Sequence, residues 1–171
     1  PPGMIGRLLG FDVPAIRSAM LIPFPAPSGG FMAHVRLKVF PAFRDRQGHT
    51  TKYLQPRDSG PRLFFSFLGL DQALHGGDPL LLVEGEKKAL AVAQLGLPAV
   101  GFCGIDAWHR AGSTELLPDF DVIRLADRDV DLAVDGDLRT NPDVARGAHR
   151  FAEALRHRGA RPRFVHWPVA A

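Results

Sequence analysis

Cysteine is almost missing from this chain of 171 residues. Cys103 stands alone, which excludes an intramolecular disulfide and a cysteine zinc site and suits a reducing cytoplasm. Its apolar surroundings predict a packing role. Long hydrophobic runs are missing too. None approaches the roughly 20 residues of a membrane span, so no membrane partner is expected. No signal peptide is visible, and the opening Pro1-Pro2 without Met is what an excised or trimmed segment would show. No glycine-rich loop ends in Gly-Lys-Ser/Thr, which excludes a P-loop. An EF-hand loop begun at Asp127 needs glycine where Leu132 stands, which excludes that calcium site. The seven histidines have no tight ligand spacing, and no Ser-His-Asp or Cys-His nucleophile pattern emerges. Internal repeats and low-complexity tracts are likewise absent.

Charge is present but unevenly placed. Residues 1–77 hold nine Lys/Arg against four Asp/Glu, and residues 78–171 hold twelve against fourteen. A basic half joined to an acidic, metal-ready half suits a polyanionic substrate. Chance imbalance in a small domain is the alternative.

The chain is organised around Leu80 to Leu95, LLLVEGEKKALAVAQL. The short apolar run Leu80 to Val83 reads as a buried strand of a parallel sheet. Gly85 permits a sharp turn where the strand ends. Glu84 is therefore placed at the carboxyl end of a central strand, where open α/β sheets bind ligands. A glutamate there also serves as a helix N-terminal charge. About fifty residues later, Val130 to Val134 runs into Asp135-Gly136-Asp137. Adjacent parallel strands would gather Glu84, Asp135 and Asp137 at one sheet edge. Three carboxylates together call for a cation, and Mg²⁺ prefers hard oxygen ligands while keeping waters for substrate phosphates. Asp127-Arg128-Asp129-Val130-Asp131 is a rival acidic pattern. Asp135 and Asp137 are preferred, because an apolar strand precedes them and a turn and capped helix follow.

Glu84 to Ala89 (EGEKKA), Gly104 to Trp108, Asp135 to Asp137 and Thr140-Asn141-Pro142 together resemble the TOPRIM domain of bacterial-type primases, topoisomerases and some nucleases. The likeness is greatest to phage and plasmid primase-helicases and covers about the last ninety residues. It implies a primase-like nucleotidyltransferase that makes primers on single-stranded DNA from nucleoside triphosphates, with a helicase domain or protein as a further partner. Asp135, Asp137 and Glu84 would hold Mg²⁺ or Mn²⁺, though the family often gives the glutamate an acid/base role. Lys87 and Lys88 belong to the same motif and are expected at the nucleotide or nucleic acid. Other TOPRIM proteins often carry aspartate where Lys88 stands, so the metal geometry is expected to differ. The family's further acidic stretch after the last strand has no counterpart here. A TOPRIM nuclease, a non-catalytic nucleic-acid-binding module and a D-x-D sugar-nucleotide enzyme using Mn²⁺ are the alternatives. The E-G-E motif and the basic first half argue against the last.

In chain order, the residues from Val13 to Met20 allow a short helix, and Leu21 to Phe24 begins an extended segment. Phe31 to Phe40 alternates, with Val35, Leu37 and Val39 on one face and His34, Arg36 and Lys38 on the other. Phe43 to His49 is a polar hairpin connection, and Thr50 to Leu54 is the returning strand. The basic face is either solvated or a nucleic-acid surface. Primase cores place a basic subdomain before TOPRIM, and by that resemblance Arg36, Lys38, Lys52 and Tyr53 would contact template or triphosphate. Gly76 to Pro79 reads as the linker, giving a basic subdomain at 1–77 and a TOPRIM domain at 78–171.

Within the second part, a helix is expected from Glu86 to Leu95 and a strand from Pro98 to Phe102. Ile105 to Leu117 is expected to include a short helix, and Asp121 to Leu125 is ambiguous. Asn141 caps a helix that begins at Pro142 and has Val144, Ala148, Phe151, Ala152 and Leu155 on its apolar face. His149, His157, Arg146, Arg150 and Arg156 lie on its outer, solvated face. Gly159 ends that helix, Phe164 to Trp167 is the last strand, and Trp108 is a packing residue. The alternation of strands and helices predicts an α/β fold: a mainly parallel sheet flanked by helices, preceded by a small α+β subdomain.

Overall fold

Strand-forming alternation and two glycine turns build the first part of the chain. The computed structural model describes residues 2–13, 16–45 and 47–165; the side chains of Pro2 and Asp137 lie outside that description. Helix α1 (Pro2–Leu9) precedes three antiparallel strands, β1 (Ser18–Pro25), β2 (Phe31–Arg44) and β3 (Thr50–Leu54), in the order β1-β2-β3. The β1–β2 turn closes through the Ala26 N–H on the Gly30 carbonyl at 3.0 Å, with Gly29 and Gly30 at φ 94° and 74°. Only glycine adopts that backbone freely.

Leu37 and Val39 face inward and pack with Leu9 and Ile16, while Ala19, Phe43 and Leu54 line the same cluster. Because side chains alternate along a strand, Arg36 and Lys38 are carried to the other face. The structure corrects two expectations. Ser18 to Met20 are strand rather than helix, since Ala19 and Met20 pair with Val39 and Lys38; residues 14 and 15 lie outside the described residues. His34 is buried edge-on to Phe24, with ring centroids 4.5 Å apart, so the face it shares with Arg36 and Lys38 is not wholly solvated.

The second part is a five-stranded sheet in the order β4-β6-β5-β7-β8. The strands are β4 (Phe64–Phe65), β5 (Leu80–Glu84), β6 (Ala99–Phe102), β7 (Asp129–Ala133) and β8 (Arg161–Phe164). All pairings are parallel except β4 on β6. Helices α2 (Leu70–His75), α3 (Glu86–Gln94) and α4 (Pro142–His157) accompany them. The compact unit begins at Pro61 rather than at the expected 78, and Phe64 and Phe65 pair antiparallel with Gly101 and Val100 of its sheet. A two-residue strand followed by a short helix leaves little periodicity to read. The expected helix within Ile105 to Leu117 is a set of turns, and a 3-10 helix spans Pro118–Val122 instead. The last strand ends at Phe164; His166 and Trp167 lie outside the described residues.

Helices α3 and α4 cover opposite faces of this sheet. A Cβ placed on Gly101 would lie 3.1 Å from Ala89 Cβ of α3, whereas the next residue, Phe102, meets Phe151 of α4 at 5.4 Å between centroids. Neighbours on a strand point to opposite faces, so the two helices do as well. Trp108 stacks on Phe151 at 5.3 Å and is buried, the packing role expected of it. Helix α4 starts where Asn141 Oδ1 accepts the Asp143 N–H at 3.0 Å and ends at Gly159, φ 81°. Among the described residues no helix is long and apolar enough to cross a membrane.

Candidate active site at the end of the parallel strands

Strand β5 leads through α3 to β6 on one side, and β7 leads through α4 to β8 on the other. The chain therefore departs in opposite directions from the two central strands. That divergence opens a crevice beyond their carboxyl ends, where doubly wound sheets bind ligands. Glu84 is the last residue of β5, and Asp135 follows β7 by two residues. Their parallel register, Val83 beside Ala133, brings them side by side. Glu84 Oε2 accepts the Asp135 backbone N–H at 3.1 Å. Gly85, at φ 101°, turns the chain from β5 into α3, and its N–H reaches the Phe102 carbonyl at 2.8 Å. A residue with a Cβ would be strained there.

Lys88, in the first turn of α3, bends back over Gly85 and places its ammonium on Asp135 Oδ1. Both side chains are about half exposed. This ion pair was not read from the sequence; the signal available was the spacing of Lys88 four residues after Glu84, across a turn. Glu86, also in that turn, is buried, and the Cys103 thiol donates to its Oε1 at 3.2 Å. Cys103 is thus half-buried and hydrogen-bonded rather than simply packed. Lys87 is exposed on α3.

Asp137 falls in the 3-10 turn Gly136–Arg139, and its side chain lies outside the described residues. The structure thus juxtaposes Glu84 and Asp135. Among the described residues no group of three or more His, Cys, Asp or Glu side chains is arranged to cage a metal ion. Two carboxylates still fit Mg²⁺, which is commonly held by one or two carboxylates with the rest of its shell from water and substrate phosphate. Both donors are hard oxygens, and the half-exposed position of Asp135 leaves room for that shell.

The rival acids lie before, at the start of and in the middle of β7. Asp129 accepts from Arg161 Nε at 2.6 Å and Arg163 Nη1 at 2.8 Å. Asp131 takes both arms of Arg163, at 2.7 and 2.9 Å. The hydrogen bond from Arg161, aided by the charges of Arg161 and Arg163, holds the Asp129 carboxyl below its usual range. The bond to Asp131 raises the Arg163 guanidinium. Asp127 is a turn residue at φ 57° whose N–H meets the Gly159 carbonyl at 2.9 Å. Asp131 and Asp135 are four residues apart, about 13 Å along an extended chain. The rival pattern is therefore a cross-strand clamp.

In the first unit, the Arg36 guanidinium lies over the Tyr53 ring at 4.9 Å, and Lys38 Nζ lies 5.4 Å from the Phe40 ring centre. Lys38 is directly opposite Tyr53 in register, so Arg36, Lys38 and Tyr53 share one face. Lys52, one residue away, points to the other face and is exposed.

Residues 74–171 match the model of a family described as a domain of unknown function, DUF3854. A solved structure of the DnaG catalytic core is similar in fold, with a TM-score of 0.55 at 21% identity. The match covers 97% of this chain and 52% of that one, so the chain spans about half the length of the solved core. No curated protein matches the sequence.

Proposed function

The chain belongs to the DUF3854 family and shares its fold with a primase catalytic core, and from this we propose that it is a primase-like nucleotidyltransferase carrying a TOPRIM active site. The observation that carries the reading is the meeting of Glu84 and Asp135 at the crevice where the sheet's connections diverge. Asp135, with Glu84 and Asp137, would hold Mg²⁺ or Mn²⁺. When bound, such an ion lowers the pKa of an attacking hydroxyl and offsets charge on a leaving pyrophosphate. Glu84 fixes the loop after β7 by accepting the Asp135 N–H, so the two carboxylates keep a common position. Lys87, exposed on the first turn of α3, is suited to a phosphate oxygen. Arg36, Lys38 and Tyr53, on one face, offer cations and a ring of the kind that hold single-stranded template, and Lys52 offers a further cation on the opposite face. Single-stranded DNA and nucleoside triphosphates are the substrates, a helicase domain or protein is a partner, and the setting is cytoplasmic.

The test is primer synthesis on single-stranded DNA with labelled NTPs or dNTPs and Mg²⁺ or Mn²⁺. Native protein is compared with Asp135→Asn and Asp131→Asn. Product lost in the first and kept in the second supports the reading. Synthesis that survives Asp135→Asn removes the site from Asp135. Template cleavage in place of synthesis would move the same site to nuclease chemistry, and binding alone would make the chain a module.

A further inference from the structure

We propose that Lys88 is a built-in counter-ion of the carboxylate pair, which a divalent ion must displace and which then serves the anionic substrate arriving with that ion. The inference rests on the metal-dependent reading above and adds an order of events to it. Lys88 Nζ already lies on Asp135 Oδ1, on a side chain that is about half exposed. Glu84 Oε2 accepts the Asp135 backbone N–H, which holds the Glu84 side chain beside the carboxylate that carries this ammonium. A divalent ion and an ammonium on the same carboxylate repel each other. Ion binding without substrate therefore carries a cost. The cost vanishes if the displaced ammonium finds a phosphate oxygen. The Lys88 stem, folded over Gly85 with Cε 4.0 Å from where a Cβ would stand there, keeps Nζ above the same crevice. The favoured ligand is thus a metal–polyphosphate complex rather than the bare ion. No proton or bond changes hands in this exchange; only the partners of the ammonium and of Asp135 do.

The experiment titrates Mn²⁺ by electron paramagnetic resonance of the free ion, on the full chain, with and without inorganic pyrophosphate. Native protein is compared with Lys88→Met, Lys88→Arg and Asp135→Asn. Lys88 is exposed on a helix, so these variants are expected to fold, and circular dichroism verifies it. Without pyrophosphate, Lys88→Met should bind Mn²⁺ about fivefold more tightly than native protein, the size of one half-exposed ion pair. Lys88→Arg should match native affinity. The gap should narrow as KCl is raised. With pyrophosphate the order should reverse, native protein binding the complex more tightly. Equal affinity of native protein and Lys88→Met, with binding lost in Asp135→Asn, would overturn the role of Lys88 and leave the metal site standing. Tighter binding by Lys88→Met that persists with pyrophosphate would overturn the substrate half. Undiminished binding by Asp135→Asn would instead overturn the metal reading on which both rest.

Discussion

The two ends of β7 are both acidic, yet their carboxylates meet opposite fates. Asp129 at the amino end and Asp131 at the centre of the strand are matched by two arginines of the neighbouring strand, with four hydrogen bonds between 2.6 and 2.9 Å. Arg128, the residue just before β7, is buried and donates to the carbonyls of Gln72, Ala73 and Asp78, closing the carboxyl end of α2. Burial lowers its guanidinium pKa, with the charge of Asp78 acting against that. At the carboxyl end Asp135 holds the half-exposed ammonium of Lys88, and Glu84 accepts the Asp135 backbone N–H. Acid count does not separate the two ends. What separates them is the kind of partner: arginines of the neighbouring strand clamp Asp129 and Asp131, whereas the ammonium of a lysine on a flexible stem meets Asp135.

That contrast can be broken most sharply by activity. Asp135→Asn should reduce primer synthesis about a thousandfold or more, the several kcal/mol a catalytic ion supplies, while Asp131→Asn leaves it near native. Comparable losses in both would erase the distinction. Next in size is Arg128→Met, which strands three carbonyls and should cost about 2–4 kcal/mol in urea unfolding with activity per folded molecule retained. A smaller loss would mean that water replaces the guanidinium. The fivefold tightening of Mn²⁺ binding in Lys88→Met is smaller again and tests the other end directly.

The smallest effect sharpens the comparison through pH. Since Asp129 is held below its unfolded value, its contribution is present above the ordinary carboxylate pKa near 4 and is lost as pH falls through the lower folded value. Arg161→Gln should therefore lower Tm at pH 7, and the gap from native protein should close on acidification below about pH 4. A gap that persists unchanged in acid would show that Arg161 contributes by packing its stem rather than by charge.

Much of this molecule was legible before its structure. Apolar run, glycine, then capped helix specified β5, α3 and α4, because strand burial, left-handed backbone and N-capping are local properties. Asn141 and Gly159 bound their helix where residue chemistry placed them. The alternation in β2 located Leu37 and Val39 in the core. What failed depended on distant partners. Phe64 and Phe65 became a strand only by pairing with β6, which moved the boundary to Gly60/Pro61. His34 was assigned outward by parity and was found buried against Phe24.

The sequence by itself determined the elements and the supply of acids, since both follow from neighbours in the chain. Only the tertiary structure decided which partners each acid meets. That depends on Arg161 and Arg163 arriving on β8 beside Asp129 and Asp131, and on the parallel register of β5 and β7 that sets Glu84 against Asp135. Electrostatic satisfaction is a matter of distances of a few ångströms between groups up to about fifty residues apart.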